Sequence, residues 1–335
     1  MREVINDGVL SQKFAYEILG GNVTIWRCFS RTNIVEIPRE IEGCPVTKIA
    51  PYAFSNHMNK NNLKNKKYTS DEDLPELCGD TIEEIRFPDT VVQVGRYCFY
   101  NCDGLKRISF TDSLKDWGSG AFTGCHHIGE LEIFIYKDGR STLKDILAEL
   151  PELTTVDYYR VKDGEMERAH LIFPEFYEEG IENTPARLIN YTVHGSGMRF
   201  RNCFQQRVLS FAEYDSKFEY AGFQENFQVV AALAEGRLRY PMELSETSRR
   251  QYEAFIVKHK EEFSSYIIER KEIETLTWYA GLLTDLDEIS KEELTKLLSL
   301  MTEQASVMGF YEGLSFLMDY KHRYGTRKQR MAFEL

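Results

Sequence analysis

The chain repeats the pattern Ile82-x-x-Ile85-x-Phe87 as Leu105-x-x-Ile108-x-Phe110 and again as Ile128-x-x-Leu131-x-Ile133, at an interval of 23 residues. Further along each copy, Val94-Gly95-x-x-Cys98-Phe99-x-x-Cys102 returns as Trp117-Gly118-x-x-Ala121-Phe122-x-x-Cys125. A period of roughly 20–29 residues with this apolar spacing is typical of a leucine-rich solenoid, because one repeat cannot bury its apolar face alone. The sequence therefore predicts stacked repeats that share one hydrophobic core.

The repeats extend towards the amino terminus. Val35-x-Ile37-Pro38-x-x-Ile41 matches Ile85-x-Phe87-Pro88-x-x-Val91, and Ile49-Ala50-x-x-Ala53-Phe54 matches Val94-Gly95-x-x-Cys98-Phe99. This alignment predicts that the rings of Phe54, Phe99 and Phe122 stack one above another. It also leaves an insert at about 56–80 between the first two repeats. Because the insert is polar and rich in Asn and Lys, we expect a mobile loop.

Both ends of the repeats carry candidate caps. Alternating apolar residues at 14–18 and 23–26 flank Gly20-Gly21-Asn22, which predicts a β-hairpin that covers the open first edge. At the other end, Leu143, Ile146, Leu147 and Leu150 precede Pro151 and predict a short capping helix.

The rest of the chain changes character twice. Alternation predicts strands at 170–173, 188–193, 198–204 and 208–214, with a turn at Gly195-Ser196-Gly197. Helical spacing follows. One helical face is predicted from Tyr252, Phe255, Ile256, Phe263 and Ile267. Further on, Ser290 and Glu293 form a capping box, and Phe310 to Met318 form a final amphipathic helix.

These patterns predict an α+β protein. Its first part is a short leucine-rich-repeat β-solenoid with an amino-terminal capping hairpin, and a mixed β segment and a helical-hairpin domain follow. We expect the hairpin at 1–33, the solenoid at 34–136, a capping helix and linker at 137–155, and the α+β and helical domain at 156–335.

Composition narrows the classes of function. Forty-one Lys and Arg against 53 Asp and Glu give a formal net charge of −12, which makes nucleic acid an unlikely partner. Basic clusters occur at 60–67 and at Lys321, His322, Arg323, Arg327, Lys328 and Arg330, and we interpret both as solvated charge. Neither a secretory signal nor a membrane-length apolar run is present, and seven cysteines do not suggest a disulfide framework. We therefore expect a cytoplasmic protein, or a cell-surface protein if a leader has been removed.

The combined repeat resembles the BspA-type leucine-rich repeat family of bacterial proteins over about residues 12–136. Phe14-x-Tyr16-x-Ile18-Leu19, Val23-x-Ile25 and Ile41-x-Gly43-x-Pro45-Val46-Thr47-x-Ile49 strengthen the likeness. The resemblance implies a solenoid with one short strand per repeat and a role in binding proteins or surfaces, often as exported adhesins. Residues 289–320 loosely resemble ankyrin-like helical hairpins, a likeness that implies no function.

Alternation along the repeat strands identifies a candidate binding face. If Ile85 and Phe87 point inward, their neighbours point outward. The candidates are Glu36, Glu84, Arg86, Arg107, Ser109, Glu130, Glu132 and Phe134. A solvated sheet face with no partner is the alternative interpretation.

Other chemistry-bearing residues fit structural roles better. Cys98, Cys102 and Cys125 lie beside His126 and His127, but Cys102 and Cys125 occupy the same repeat position, so we expect a buried ladder and no metal site. The segment His194-Gly195-Ser196-Gly197 lacks the Gly-x-Ser-x-Gly spacing of a nucleophile elbow, so we expect a turn and no catalytic residues.

The leading hypothesis is a non-enzymatic protein-interaction module that needs no cofactor and uses its repeat face and the mobile insert to bind an unknown protein. Two alternatives stay open. The chain is an exported BspA-type adhesin, or it is an enzyme whose site lies within 156–240 and uses carboxylates, His194 or Cys203. The sequence identifies neither the partner nor the oligomeric state.

Overall fold

The computed structural model describes residues 12–183 and 188–325. The chain divides into two compact units, with the boundary between Tyr220 and Ala221. Residues 1–11 of the predicted capping segment lie outside the described part.

The first unit is mainly β-structure. Its strands are β1 (Gln12–Leu19), β2 (Asn22–Ser30), β3 (Ile34–Glu36), β4 (Glu40–Ile41), β5 (Cys44–Ile49), β6 (Lys67–Tyr68), β7 (Glu76–Leu77), β8 (Glu84–Arg86), β9 (Gln93–Val94), β10 (Arg107–Thr111), β11 (Asp116–Trp117), β12 (Glu130–Ile135), β13 (Thr154–Lys162), β14 (Glu165–Phe173), β15 (Tyr177–Asn183), β16 (Leu188–His194), β17 (Phe204–Gln205) and β18 (Val208–Leu209). Its short helices are α1 (Leu143–Glu149), α2 (Gly197–Arg201) and α3 (Phe211–Asp215), and α4 (Phe218–Gln224) crosses the boundary between the units.

Two sheets are built from the repeats. One has the strand order β14-β13-β12-β10-β8-β3, and the other has the order β11-β9-β5-β2-β1-β6, with β4 paired to β5 and β7 paired to β2. Each of the first three repeats places one strand in each sheet. Residues 23 apart are register partners, as Ile85 and Ile108 or Ile108 and Leu131 show. One sequence period therefore separates the residues that are paired on neighbouring parallel strands.

The core of this unit contains the predicted phenylalanine stack. The rings of Phe54 and Phe99 lie 5.2 Å apart at an interplanar angle of 3°, and those of Phe99 and Phe122 lie 5.6 Å apart at 2°. Trp117 of the second sheet contacts Phe110 of the first at 5.3 Å. The two sheets thus share one aromatic core, and the predicted stacking is confirmed.

The turn that follows the second strand of each repeat has a residue in the left-handed conformation at one equivalent position. That residue is Tyr52, Tyr97 or Gly120, with φ of 59°, 53° and 63°. The tyrosine rings of the first two stack at 5.4 Å. Side-chain stacking thus accompanies a conformation that non-glycine residues rarely adopt.

The amino-terminal hairpin forms as predicted, since β1 and β2 are antiparallel and turn at Leu19–Asn22. β2 then pairs in parallel with β5 of the first repeat, so the hairpin covers that edge. At the other end, α1 forms over the predicted residues. The sheet nevertheless continues past residue 136, because β13 adds in parallel to β12 and β14 adds antiparallel to β13.

The prediction of a mobile insert is wrong. Residues 60–63 form a 3₁₀ turn, β6 pairs with β1, and β7 pairs with β2. Lys66 lies 4.0 Å from the Trp26 ring centroid and forms an ion pair with Glu17. The polar composition suggested a loop, but the edge of the capping hairpin offers backbone groups with which the insert pairs.

Two predicted strands are also wrong. Residues 197–201 form α2, and Phe211–Asp215 form α3 after only two strand residues at Val208–Leu209. Ser210 caps α3 by accepting from the Glu213 amide, and its buried Phe211 and Tyr214 are three residues apart. Segments this short do not distinguish alternation from helical spacing.

α2 is fixed by the buried guanidinium of Arg201, which donates to four backbone carbonyls, those of Leu147, Leu150, Glu152 and Pro174. Two of these carbonyls close the end of α1, so the two short helices stabilise each other. Buried polar groups need such partners.

The second unit is helical. It contains α5 (Phe227–Arg239), α6 (Glu246–Lys258), α7 (Lys260–Arg270), α8 (Ile273–Asp285), α9 (Lys291–Val307) and α10 (Tyr311–Gly325). The predicted capping box is present: Ser290 accepts from the Glu293 amide at 3.3 Å, and Glu293 accepts from the Ser290 amide at 3.0 Å. The apolar face predicted from Tyr252 to Ile267 is shared by two helices that meet at His259.

Candidate interaction face

The outward positions of the β3-β8-β10-β12 sheet form ranks of side chains. In register, Glu84, Arg107 and Glu130 are neighbours, and the next rank contains Glu36, Arg86, Ser109 and Glu132. The residues between them, such as Ile85, Ile108 and Leu131, are buried. Strand alternation therefore places all the predicted face residues on one side of this sheet.

Charges on this face are partly paired within it. Arg86 Nε lies 2.6 Å from Glu84 Oε1, and Arg107 Nε lies 2.8 Å from Glu130 Oε2. The hydrogen bond to Glu130 raises the pKa of Arg107. The side chain of Glu132 has no hydrogen bond or ion pair within the described part of the chain. The exposed pairs contribute little stability.

Ser109 differs from its neighbours, because only 7% of its surface is exposed. It is a small residue on a central strand, between register partners Arg86 and Glu132 that have longer side chains. Ser109 lies on the predicted face but offers a partner little surface.

Strands β13 and β14 extend the face beyond the repeats. Phe134 and Tyr159 are register partners, and their rings stack at 4.9 Å and 10°. Tyr136 stacks on Phe134 at 6.4 Å, and Arg168 lies 5.7 Å from the Tyr159 ring centroid. These four residues, named here the aromatic patch, form the end of the face. Only Phe134 follows from the repeat pattern.

A charged group adjoins the aromatic patch. Asp157 accepts from Arg168 Nη2 at 2.9 Å and lies 2.8 Å from His170 Nδ1. Burial opposes ionisation of Asp157, but the hydrogen bonds with His170 and Arg168 outweigh it and lower the pKa of the carboxyl. This network holds Arg168 beside Tyr159.

Part of the chain is similar to a known protein family. The sequence model of a family described as a BspA type leucine rich repeat region matches residues 75–146. Residues 75–146 are therefore similar to BspA-type leucine-rich repeats. The match includes β8, β10 and β12, which carry most of the face.

Solved structures similar to this chain are also leucine-rich repeat proteins. A leucine-rich repeat protein from Bacteroides ovatus is 21% identical over 40% of this chain and 36% of its own, with a TM-score of 0.27. One from T. pallidum is 21% identical over 39% and 73%, with a TM-score of 0.19. A leucine rich cell surface protein from Faecalibacterium prausnitzii is 15% identical over 46% and 56%, with a TM-score of 0.23. The chain thus spans about a third of the first structure's length. No curated protein matches it.

Cysteines of the BspA-type repeats act as core residues. Cys102 and Cys125 donate to the carbonyls of Phe54 and Phe99 at 3.2 and 3.0 Å. Burial raises the pKa of the Cys125 thiol to about 12, so it stays protonated. Among the described residues, no group of three or more His, Cys, Asp or Glu is placed to hold a metal ion.

Two further candidates lie after the BspA-type repeats. His194 Nε2 lies 3.0 Å from Glu179, and its ring stacks on Tyr177 at 4.6 Å. Cys203 is buried beside the Arg199 carbonyl, and burial raises its pKa to about 12. A protonated core thiol and a surface imidazole with different partners do not form a nucleophile and base.

The structure describes the first basic cluster, at 60–67, in full and the second cluster only in part. Lys60, Lys66 and Lys67 form ion pairs with Glu76, Glu17 and Glu42. Arg327, Lys328 and Arg330 lie outside the described residues. None of the described helices is long and apolar enough to cross a membrane.

Proposed function

We propose that the chain is a non-enzymatic protein-binding module, and that its BspA-type repeats are the coils of a short solenoid whose outer sheet binds the partner. The observation that carries the proposal is the aromatic patch. It lies at the end of a rank of charged residues, on strands whose backbones are fixed by pairing.

The residue types of the aromatic patch support binding. Aromatic residues and arginine are enriched among the residues that dominate binding energy. Tyr136 is 50% exposed, and the neighbouring Val161 and Met166 are 39% and 55% exposed. Contiguous apolar surface of this kind on a folded protein often marks an interaction site. Because the side chains stand on paired strands, little further order is needed when a partner binds.

The size of the face supports the proposal as well. Four short strands alone form a small surface, but β13 and β14 bring the number to six. Six strands spaced about 4.8 Å apart extend about 24 Å across the sheet. A sheet face of that width approaches the area of roughly 800 Å² per partner that a specific interface needs.

Charge suggests the chemistry of the partner. Glu84 and Arg86, and Arg107 and Glu130, neutralise each other, whereas Glu36 and Glu132 have no cation partner among the described residues. The proposed partner therefore presents an apolar surface to the aromatic patch and a basic group to Glu132. Complementary charge of this kind contributes mainly specificity and association rate.

The first test removes the aromatic patch. Full-length wild type and a Phe134→Ala, Tyr159→Ala double variant are used for affinity capture from a lysate of the native organism, with quantitative mass spectrometry. We expect the main captured protein to bind the variant about 30-fold more weakly, as for the loss of an interface hot spot.

The matched control carries Arg96→Glu and Asp116→Lys, two exposed changes that lie off this face and keep the net charge. It is expected to capture the partner like the wild type. Unchanged capture by the folded aromatic double variant would exclude the aromatic patch. A second variant, Arg86→Glu with Arg107→Glu and Glu132→Arg, tests the charged ranks and is expected to lose capture with little change in thermal stability.

The same face would serve a cytoplasmic protein or a cell-surface adhesin. Fractionation of the native cells separates these possibilities, because protein confined to the cytosol excludes the adhesin. The partner captured in the first test should occupy the same compartment.

A further inference from the structure

A basic cleft lies in the first unit, away from the charged ranks. It has a volume of about 710 Å³. Three segments line it: the turn after β10, the loop from β12 to α1, and the turn between β17 and β18. The lining residues that matter here are Lys115, Lys137, Arg140 and Arg207, with Ser141 and Gln206.

Cations outnumber acids in the cleft. Arg207 pairs with Asp145 at 3.0 Å, and Arg140 is 3.7 Å from Asp138. Lys115 Nζ donates only to the Asp112 carbonyl, and Lys137 has no acidic partner among the described residues. Two of the four cations therefore have no carboxylate within ion-pair distance among the described residues, in a chain whose net charge is −12.

The backbone beneath these cations is fixed. Gln206 and Arg207 both have positive φ, 50° and 68°, a combination that non-glycine residues rarely adopt. The Ser141 amide donates to the Arg207 carbonyl at 3.1 Å, which joins two of the three segments. On the third side, the buried carboxylate of Asp112 accepts from the Lys137 amide at 2.8 Å.

We propose that this cleft binds a small inorganic or organic polyphosphate. Arginine offers a planar pair of donors that matches phosphate oxygens, and lysine adds a point charge. A cleft of this volume is larger than one phosphate needs and accommodates a linear di- or triphosphate with bridging water. Within the described part of the chain no aromatic side chain lines it, and those residues offer no stacking surface for a nucleobase. Phosphate groups alone provide the recognition.

The test is isothermal titration of the full-length chain with inorganic pyrophosphate and tripolyphosphate at low salt. We expect binding of tripolyphosphate that weakens as salt rises, because the interaction is between exposed charges. Lys137→Glu and Arg207→Glu are each expected to weaken it about tenfold or more. The matched control is Lys64→Glu, which makes the same charge change at an exposed residue that does not line the cleft.

Each outcome decides the proposal. Selective weakening by the two cleft variants, with circular dichroism showing that they are folded, supports it. No binding by the wild type, or equal weakening by Lys64→Glu, overturns it. Adenosine triphosphate should bind about as well as tripolyphosphate, and a tenfold preference for the nucleotide would overturn recognition by phosphate alone.

Discussion

Gly118 shows how closely neighbouring repeats approach each other. A Cβ atom at this residue would lie 2.3 Å from the Arg96 nitrogen, and one at Gly95 would lie 2.4 Å from the Pro51 nitrogen. Both residues occupy the same repeat position, where the first repeat has Ala50. Glycine at this repeat position is therefore required by contact with the backbone of the preceding repeat.

This contact predicts opposite effects for two glycine substitutions. Gly118→Ala should lower the free energy of unfolding by about 2 to 3 kcal/mol, because backbone cannot move aside for the methyl group. Gly222→Ala is the control, since it lies in α4 with nothing within 4 Å of its Cβ position. It should raise stability by up to about 1 kcal/mol through helix propensity. Urea unfolding measures both, and equal effects would contradict the contact.

At the scale of elements, the insert shows how a polar segment becomes ordered by an exposed edge. Its strands pair with both strands of the capping hairpin, and Glu76 lies 3.2 Å from the buried Arg27. Arg27 also donates to the carbonyls of Ala53 and Ser55, in the turn of the first repeat. Insert, hairpin and first repeat are thus joined through one guanidinium.

Lys66→Glu should release the insert. The change replaces the cation above Trp26 and places a second negative charge beside Glu17. Cleavage by chymotrypsin after Tyr68, which is 41% exposed, should become about tenfold faster, because local opening costs less free energy. Lys64→Glu serves as the control, since its side chain is exposed. Equal cleavage of the two variants would show that Lys66 does not hold the insert.

At the scale of the whole molecule, the two units differ in how their cores are arranged. The repeat unit depends on contacts between neighbouring repeats, so one residue at the centre affects several of them. Phe99 is such a residue, since its ring lies between those of Phe54 and Phe122 and also contacts Phe87 at 6.4 Å.

Phe99→Ala should lower the stability of the first unit by about 3 to 5 kcal/mol, the cost of truncating a buried aromatic residue. In a Trp278→Phe background, Trp26 and Trp117 remain as fluorescent reporters in the hairpin and the third repeat. Two versions of Phe99→Ala, one that keeps only Trp26 and one that keeps only Trp117, should show the same fall in the urea midpoint. A shift seen by Trp117 alone would contradict shared folding of the hairpin and repeats.

The sequence by itself determined what depends on neighbours one period away or one turn away: parallel pairing at 23 residues, the phenylalanine stack, the capping hairpin and the Ser290 capping box. Equivalent side chains recur in successive repeats because each repeat has the same surroundings as the one before it. Only the tertiary structure decided where β6, β7, β13 and β14 pair, because strand pairing between unlike segments depends on which sheet edge is left open. The aromatic patch arises from the pairing of β13 and β14 with the repeats, and the basic cleft arises where the turn between β17 and β18 meets the loop from β12 to α1. Both combine residues from segments that are distant in the sequence.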